Sequence, residues 1–111
     1  GHYLGSVAEL TLSVVAGRER EWLDFFIQLF GFRESSSGRS VVCGSSGLTI
    51  HIDEQPLVDD DNVGDEYISA ISIRGRALPE GIETESDAHG ERMVTALQQP
   101  EALTWRWEKQ A

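Results

Sequence analysis

The sequence contains very little cysteine and has no long hydrophobic run. Cys43 is the only cysteine, so a disulfide within the chain is excluded and a reducing compartment is favoured. No apolar stretch approaches the roughly 20 residues that a membrane-spanning helix needs. No basic segment followed by an apolar run marks a signal peptide. We therefore expect a cytoplasmic protein with no membrane partner, in which Cys43 is a small buried hydrophobic residue.

Basic residues are also scarce, and lysine is almost absent. The chain has nine basic and 19 acidic residues, which gives a formal net charge of -10. Lys109 is the single lysine. Such a field repels the phosphates of nucleic acid, so nucleic acid is excluded as a partner. The excess of acid indicates either solubility alone or a preference for a cationic ligand.

The length of 111 residues predicts a single domain, 1–111. Composition divides it into a first unit at 7–53, an acidic linker at 54–66 and a shorter second unit at 67–111. The linker contains Asp59-Asp60-Asp61, which begins like a calcium-binding loop. Its twelfth position is Ala70, where a bidentate Glu is required, so a solvated linker is the better interpretation.

The first unit predicts the order β-α-β-β-β. Residues 7–15 alternate between apolar and polar as a strand does. The next segment has apolar residues at helical spacing, including Trp22, Phe26 and Leu29, which we expect to face the core. Gly31 follows the last apolar turn, where a left-handed helix end belongs. The predicted segments are a strand at 7–15, a helix at 18–30 and strands at 32–35, 39–43 and 48–53.

The second unit is less regular. Residues 67–74 and 103–108 alternate as strands, and 75–90 is interpreted mostly as loop. Residues 86–98 fit either a short helix or one arm of a hairpin that pairs 92–97 with 103–109. Pro100 favours the hairpin, because proline suits a turn and ends a helix.

The helix end Phe25-Phe26-x-x-x-Phe30-Gly31-Phe32 and the strand beginning Gly47-Leu48-Thr49-Ile50 resemble the vicinal oxygen chelate superfamily. That group includes glyoxalase I, the bleomycin resistance proteins and the extradiol dioxygenases. The resemblance implies an α+β fold, with one βαβββ module followed by a shortened second module and a curved mixed sheet forming a cleft. The competing fold is a ferredoxin-like α+β sandwich, which the helical interpretation of 86–98 would favour.

The resemblance also implies where a metal site would lie. The family's ligand positions fall on Glu9, on Thr49 or His51, on Tyr67, and near Arg106 or Glu108. Glu9, His51 and Glu108 are the set that could hold Ni, Zn, Mn or Mg. Tyr67 is a poor ligand for these ions, and the family's Asp-Pro-x-Gly-Asn turn is missing. We therefore expect neither a bound metal nor another cofactor.

The function that follows is a metal-independent, small-molecule-binding protein of the sequestering type, which acts as a homodimer. The dimer is expected because a shortened second unit leaves a sheet edge and an apolar face uncovered. The ligand is expected to be cationic or aromatic. The residues predicted to bind it are Tyr67, Trp105, Trp107, Glu9 and His51, with Trp22 as an outlying member.

Other interpretations stay open from the sequence. The tryptophans equally fit core or dimer packing. A divalent-metal-dependent lyase, isomerase or dioxygenase of the same superfamily is the first alternative function. A structural dimer module that binds no ligand is the second.

Overall fold

The computed structural model describes residues 5–57, 64–78, 80–94 and 103–110. The acidic run at 59–61 and the turn predicted near Pro100 lie outside these residues. The described part contains one helix and eight strands in the order βαβββ-ββββ. The elements are β1 (Gly5–Val14), α1 (Glu19–Phe30), β2 (Arg33–Glu34), β3 (Ser40–Val42), β4 (Thr49–Glu54), β5 (Tyr67–Gly75), β6 (Glu83–Asp87), β7 (Gly90–Val94) and β8 (Thr104–Lys109).

All eight strands form one open mixed sheet in the order β2-β3-β4-β1-β5-β8-β7-β6. Each half of the chain pairs its first and last strands in parallel, β1 with β4 and β5 with β8. The two halves meet where β1 and β5 run antiparallel at the centre. This arrangement confirms the predicted α+β class and the βαβββ first module.

The hydrophobic core lies between α1 and the first half of the sheet. α1 packs on β2, β3 and β4. Leu23 is the buried centre of the helix, with 1% of its surface exposed. It packs against strand residues whose side chains point to the same face. These are Val14, Val41, Ile50 and Ile52.

The helix face differs in one respect from the prediction. Trp22 and Phe26 pack against the core as expected. Leu29 is 66% exposed, so its prediction as a core residue is wrong. The reason is that α1 reaches the end of the sheet there, beside the two-residue strand β2. Phe25 and Phe30 are also largely exposed.

Gly31 ends the helix as predicted. Its φ of 70° and ψ of 21° are left-handed, a conformation that costs glycine little. The Gly31 N–H donates to the Ile27 carbonyl at 3.0 Å. The Phe32 N–H donates to the Phe26 carbonyl at 3.3 Å, which turns the chain towards β2. The ring of Phe32 then stacks on Phe26 with centroids 5.9 Å apart.

The start of the helix is held by the second half of the chain. No side chain caps α1 from the Arg18 position. Instead Glu66, just before β5, accepts hydrogen bonds from the Val15 N–H at 3.2 Å and from the Trp22 indole N–H at 3.0 Å. It also pairs with Arg18. A carboxylate near a helix N-terminus is electrostatically favourable, so Glu66 joins the linker to the first module.

The second half has strands where the sequence indicated loop or helix. Residues 83–87 form β6, which was predicted as loop, and 90–94 form β7. The helical alternative is wrong for 86–94, whereas 95–98 lie outside the described residues. The turn uses Gly90 at a φ of 120°, and the Asp87 carboxylate accepts the His89 N–H at 2.8 Å. β7 pairs antiparallel with β8, which confirms the hairpin at those positions.

We predict that Phe26→Ala lowers the free energy of unfolding by about 3 kcal/mol, because it removes a ring packed against the core. The measurement is urea unfolding followed by far-UV circular dichroism. Leu29→Ala is the matched control on the same helix, and we expect it to cost less than about 0.5 kcal/mol because Leu29 is exposed. Equal losses for the two variants would contradict this packing.

Candidate functional site

On one face of the sheet α1 covers β2, β3 and β4, and the opposite face is polar. Residues opposite each other on neighbouring strands point to the same side of a sheet. Glu9 lies opposite Thr49 and Ser72, and Ser72 lies opposite Arg106. This register places a continuous set of polar side chains on the face away from the helix. The set, here called the polar face, includes Ser40, Thr49, His51, Asp53, Glu9, Thr11, Ser13, Ser72, Arg74, Thr104, Arg106 and Glu108.

Glu9 and His51 form a contact at the centre of this face. The Glu9 Oε1 and His51 Nε2 atoms are 2.9 Å apart across the β1–β4 pairing. Both side chains are about one-third to two-fifths exposed, so a solute can reach them. The sequence left Thr49 and His51 as alternatives for this position. The register puts Thr49 directly opposite Glu9, yet it is His51 that reaches the carboxylate.

The three arginines of the second half that point to this face are all paired with acids. Arg106 holds Asp87 through two parallel hydrogen bonds of 2.9 and 3.0 Å. Arg92 pairs with Glu85 at 2.9 Å. The sequence analysis missed the Arg106–Asp87 pair, because 75–90 was interpreted as loop and strand β6 was not expected.

Arg106 changes the acidity of its partner. The Arg106 side chain, together with the His89 N–H, lowers the pKa of Asp87 from its ordinary value near 3.8 to about 2. A bidentate guanidinium–carboxylate contact is the strong form of this ion pair. Asp87 therefore stays charged over the whole physiological range, and the pair neutralises Arg106.

The predicted ligand-binding residues do not all share a face. Tyr67 lies opposite Ser13, on the polar face, about 13 Å along β1 from Glu9. Trp105 and Trp107 lie opposite Ile71 and Ile73, on the other face of the sheet. The structure therefore brings Glu9 and His51 together and separates both from the two tryptophans. Trp107 is 9% exposed, which fits packing. Trp22 lies on α1, also on the side away from Glu9.

The alternative metal set is not assembled either. Glu108 points to the polar face but pairs with Arg74 at 3.2 Å. Among the residues that the structure describes, no group of three or more His, Cys, Asp or Glu side chains is placed to hold a metal ion. A catalytic divalent ion takes three protein ligands, and Glu9 with His51 supplies two. The donors among the described residues therefore do not fit a catalytic divalent ion.

Cys43 lies in the turn between β3 and β4. It is half-buried, more open than the sequence analysis expected. The hydroxyl of Ser45 lies 3.3 Å from its sulfur, and hydrogen bonds from Ser45 and Ser46 lower the pKa of the thiol to about 6. Its side chain is not among those that meet at Glu9.

Comparisons with known proteins identify solved structures that have a similar fold. The S221M V223F Y359A mutant of 4-hydroxymandelate synthase from Streptomyces coelicolor superposes with a TM-score of 0.61 at 10% identity, covering 98% of this chain and 50% of that one. A fusion protein of a xylose isomerase-like TIM barrel and 4-hydroxyphenylpyruvate dioxygenase superposes with a TM-score of 0.63 at 11% identity, covering 97% of this chain and 26% of that one. Both neighbours carry the vicinal oxygen chelate fold.

This chain has the vicinal oxygen chelate fold. The fold that the resemblance implied is thereby confirmed. At 10–11% identity the likeness is one of fold alone, and the chain spans half or less of the length of either neighbour. No family model and no curated protein sequence matches the chain. No helix of the described residues is long and apolar enough to cross a membrane.

We predict that Arg106→Gln raises the pKa of Asp87 from about 2 towards its ordinary value near 3.8, because the charged partner is lost. The measurement is a carboxyl carbon NMR titration. A carboxylate with a depressed pKa stabilises the fold above its unfolded pKa and loses that effect as the pH falls through the folded value. Wild type should therefore lose this contribution between pH 3.8 and about 2, and Arg106→Gln should not. Arg92→Gln is the control, and an unchanged Asp87 titration in Arg106→Gln would contradict the pairing.

Proposed function

We propose that this chain is a small-molecule-binding module that takes a cationic ligand on the polar face without a metal. The Glu9–His51 contact carries the proposal. Arg74, Arg92 and Arg106 are each matched by an acid on this face. Glu9 contacts a histidine instead, so the partner of its carboxylate is not a permanent cation such as arginine.

The burial of the pair supports the same ligand class. Glu9 and His51 are partly buried, so the attraction between the Glu9 carboxylate and a bound cation is screened less than it would be on the open surface. The neighbours of Glu9 are the hydroxyl side chains of Thr49 and Ser72, which can accept hydrogen bonds from an ammonium or amidinium group. Tyr67 lies further along the face, where a longer cation could meet its ring. We do not extend the proposal to an aromatic ligand, because Trp105 and Trp107 point to the other face.

The first test measures binding of organic cations. Choline, spermidine and benzamidine serve as probes in isothermal titration calorimetry with purified protein. We expect at least one to bind saturably and Glu9→Gln to weaken it about tenfold, equal to about 1.4 kcal/mol, since Gln keeps the shape and loses the charge.

Glu83→Gln is the matched control, because Glu83 is an exposed carboxylate on the edge strand β6. It should leave the affinity unchanged. If no probe binds, or if both variants bind as wild type does, the proposed site is wrong.

The metal-dependent enzyme is the alternative that the fold neighbours favour, since their names include a synthase and a dioxygenase. We expect Ni, Zn, Mn and Mg to leave the unfolding temperature unchanged. An ion at a hundred times its dissociation constant would instead add about 2.7 kcal/mol of stability by mass action. A stabilisation that disappears in both Glu9→Gln and His51→Ala would establish a metal site and replace the proposal.

We also propose that the chain forms a homodimer through α1. Phe25, Leu29 and Phe30 leave apolar surface exposed near the end of that helix. The sheet edges are poor contacts, because β2 has two residues and β6 carries Glu83, Glu85 and Asp87, which repel a second copy of themselves.

Sedimentation equilibrium at micromolar concentration tests the dimer. We expect twice the chain mass for wild type, and a shift to monomer in Leu29→Glu, because the variant places a charge in the contact. Gln28→Glu adds the same charge to a neighbouring helix position and should leave the dimer intact. A monomeric wild-type protein would contradict the proposal.

A further inference from the structure

A cavity opens at one end of the sheet, where β1 begins and β5 ends. Its volume is about 470 Å³, within the range of small-molecule sites. It adjoins the polar face, because Ser6 and Arg74 lie opposite each other there. The residues that line it are Gly5, Ser6, Arg74, Gly75, Arg76, Ala77 and Gln110.

The backbone at this place is built around two facing glycines. Gly5 lies opposite Gly75, and Gly75 is buried. A Cβ atom on Gly5 would lie 2.5 Å from the Arg74 carbonyl oxygen, closer than any real contact. The Gly75 carbonyl accepts the Gln110 N–H at 2.6 Å, which fixes β8 beside it. Arg74 on β5 and Arg76 just after its end flank Gly75, so both are presented from a tightly paired part of the sheet.

The lining is positively charged in an acidic protein. Among the described residues, the lining includes two arginines and no acidic side chain, although the whole chain carries a net charge of -10. Arg74 shares its charge with Glu108 at 3.2 Å. Arg76 belongs to none of the ion pairs formed among the described residues.

We propose that this cavity binds a small anion, namely a phosphate or carboxylate group. The planar guanidinium of Arg76 matches the two oxygens of either group, and Arg74, which is held by Glu108, adds a second guanidinium to the lining. Ser6 and Gln110 line the same space, and a serine hydroxyl and a glutamine side-chain amide are donors for the remaining oxygens. An anion here also gives Arg76 a counter-charge, whereas Arg74 already pairs with Glu108.

This site is separate from the one that contains Glu9. Ser72 lies opposite Glu9, and Arg74 follows it by two residues, about 7 Å along β5. The two sites have opposite charge and share no residue. A test of the anion site is therefore independent of a test of the cation site proposed above.

Calorimetric titration with inorganic phosphate and with succinate tests the proposal, in buffers of matched ionic strength. We expect saturable binding of at least one probe, with a dissociation constant below about 1 mM. Arg76→Gln should weaken binding at least tenfold. Arg76→Lys keeps the charge and loses the bidentate guanidinium geometry, so its affinity should lie between those of wild type and Arg76→Gln. The amide signals of Ser6, Gly75 and Arg76 should shift in the NMR spectrum of the wild type.

Arg39→Gln is the control, because Arg39 is an exposed arginine before β3, at the far side of the sheet. Tighter binding of phosphate identifies a phosphate-bearing ligand, and tighter binding of succinate identifies a carboxylate. Either result supports the site. Absence of saturation with both probes, an equal loss in Arg39→Gln and Arg76→Gln, or NMR shifts confined to other residues would overturn it.

Discussion

The pairing of β1 is the constraint on which the rest of the structure depends. β1 lies between β4 and β5 and is hydrogen-bonded to both. Its alternation sends Leu10, Leu12 and Val14 towards α1 and sends Glu9 to the other side. A shift of one residue would exchange the two sets and bury the carboxylate in place of the leucines. The same register that forms the core therefore places Glu9 beside His51.

The two halves of the sheet cover their apolar face in different ways. The first half covers its apolar face with α1, and its only strictly buried helical residue is Leu23. In the described part of the second half no helix lies between β5 and β6. Ile71, Ile73, Trp105 and Trp107 point to that face and pack beside each other across the β5–β8 pairing. Large side chains thus replace some of the apolar contact that a helix would give, and Trp107 is buried there.

Local patterns were sufficient to predict most of the fold. The alternation in 7–15, 67–74 and 103–108 predicted three strands correctly, and Gly31 predicted the helix end, because these features depend on neighbouring residues alone. Strand β6 was missed since its sequence Glu-Thr-Glu-Ser-Asp has little intrinsic preference for strand. It forms because β7 supplies its hydrogen bonds, with Arg92 matching Glu85.

The candidate site was harder to predict, because it depends on register across strands distant in the chain. Alternation along the strand shows that Trp105 and Arg106 point to opposite faces of the sheet. It does not show which of these two faces Glu9 is on. The pairing of Ser72 with both Glu9 and Arg106 decides that question. The family resemblance placed Glu9 and either Thr49 or His51 at one site, and the choice of His51 required the structure. The position of Arg76 at a cavity required the β1–β5 contact.

The parallel pairing within each half also has a consequence for the order in which the two halves fold during synthesis. Once Glu54 has been synthesised, the chain contains every strand of the first half, β1 to β4, and the helix that covers their core. The second half has no such core among its described residues, and β5 needs the free edge of β1 to pair with. Because domains fold from the N-terminus as the chain emerges from the ribosome, we expect β1 to act first as the end of one sheet and then as the template for the next. Glu66, just before β5, then connects the two halves through its hydrogen bond from Trp22.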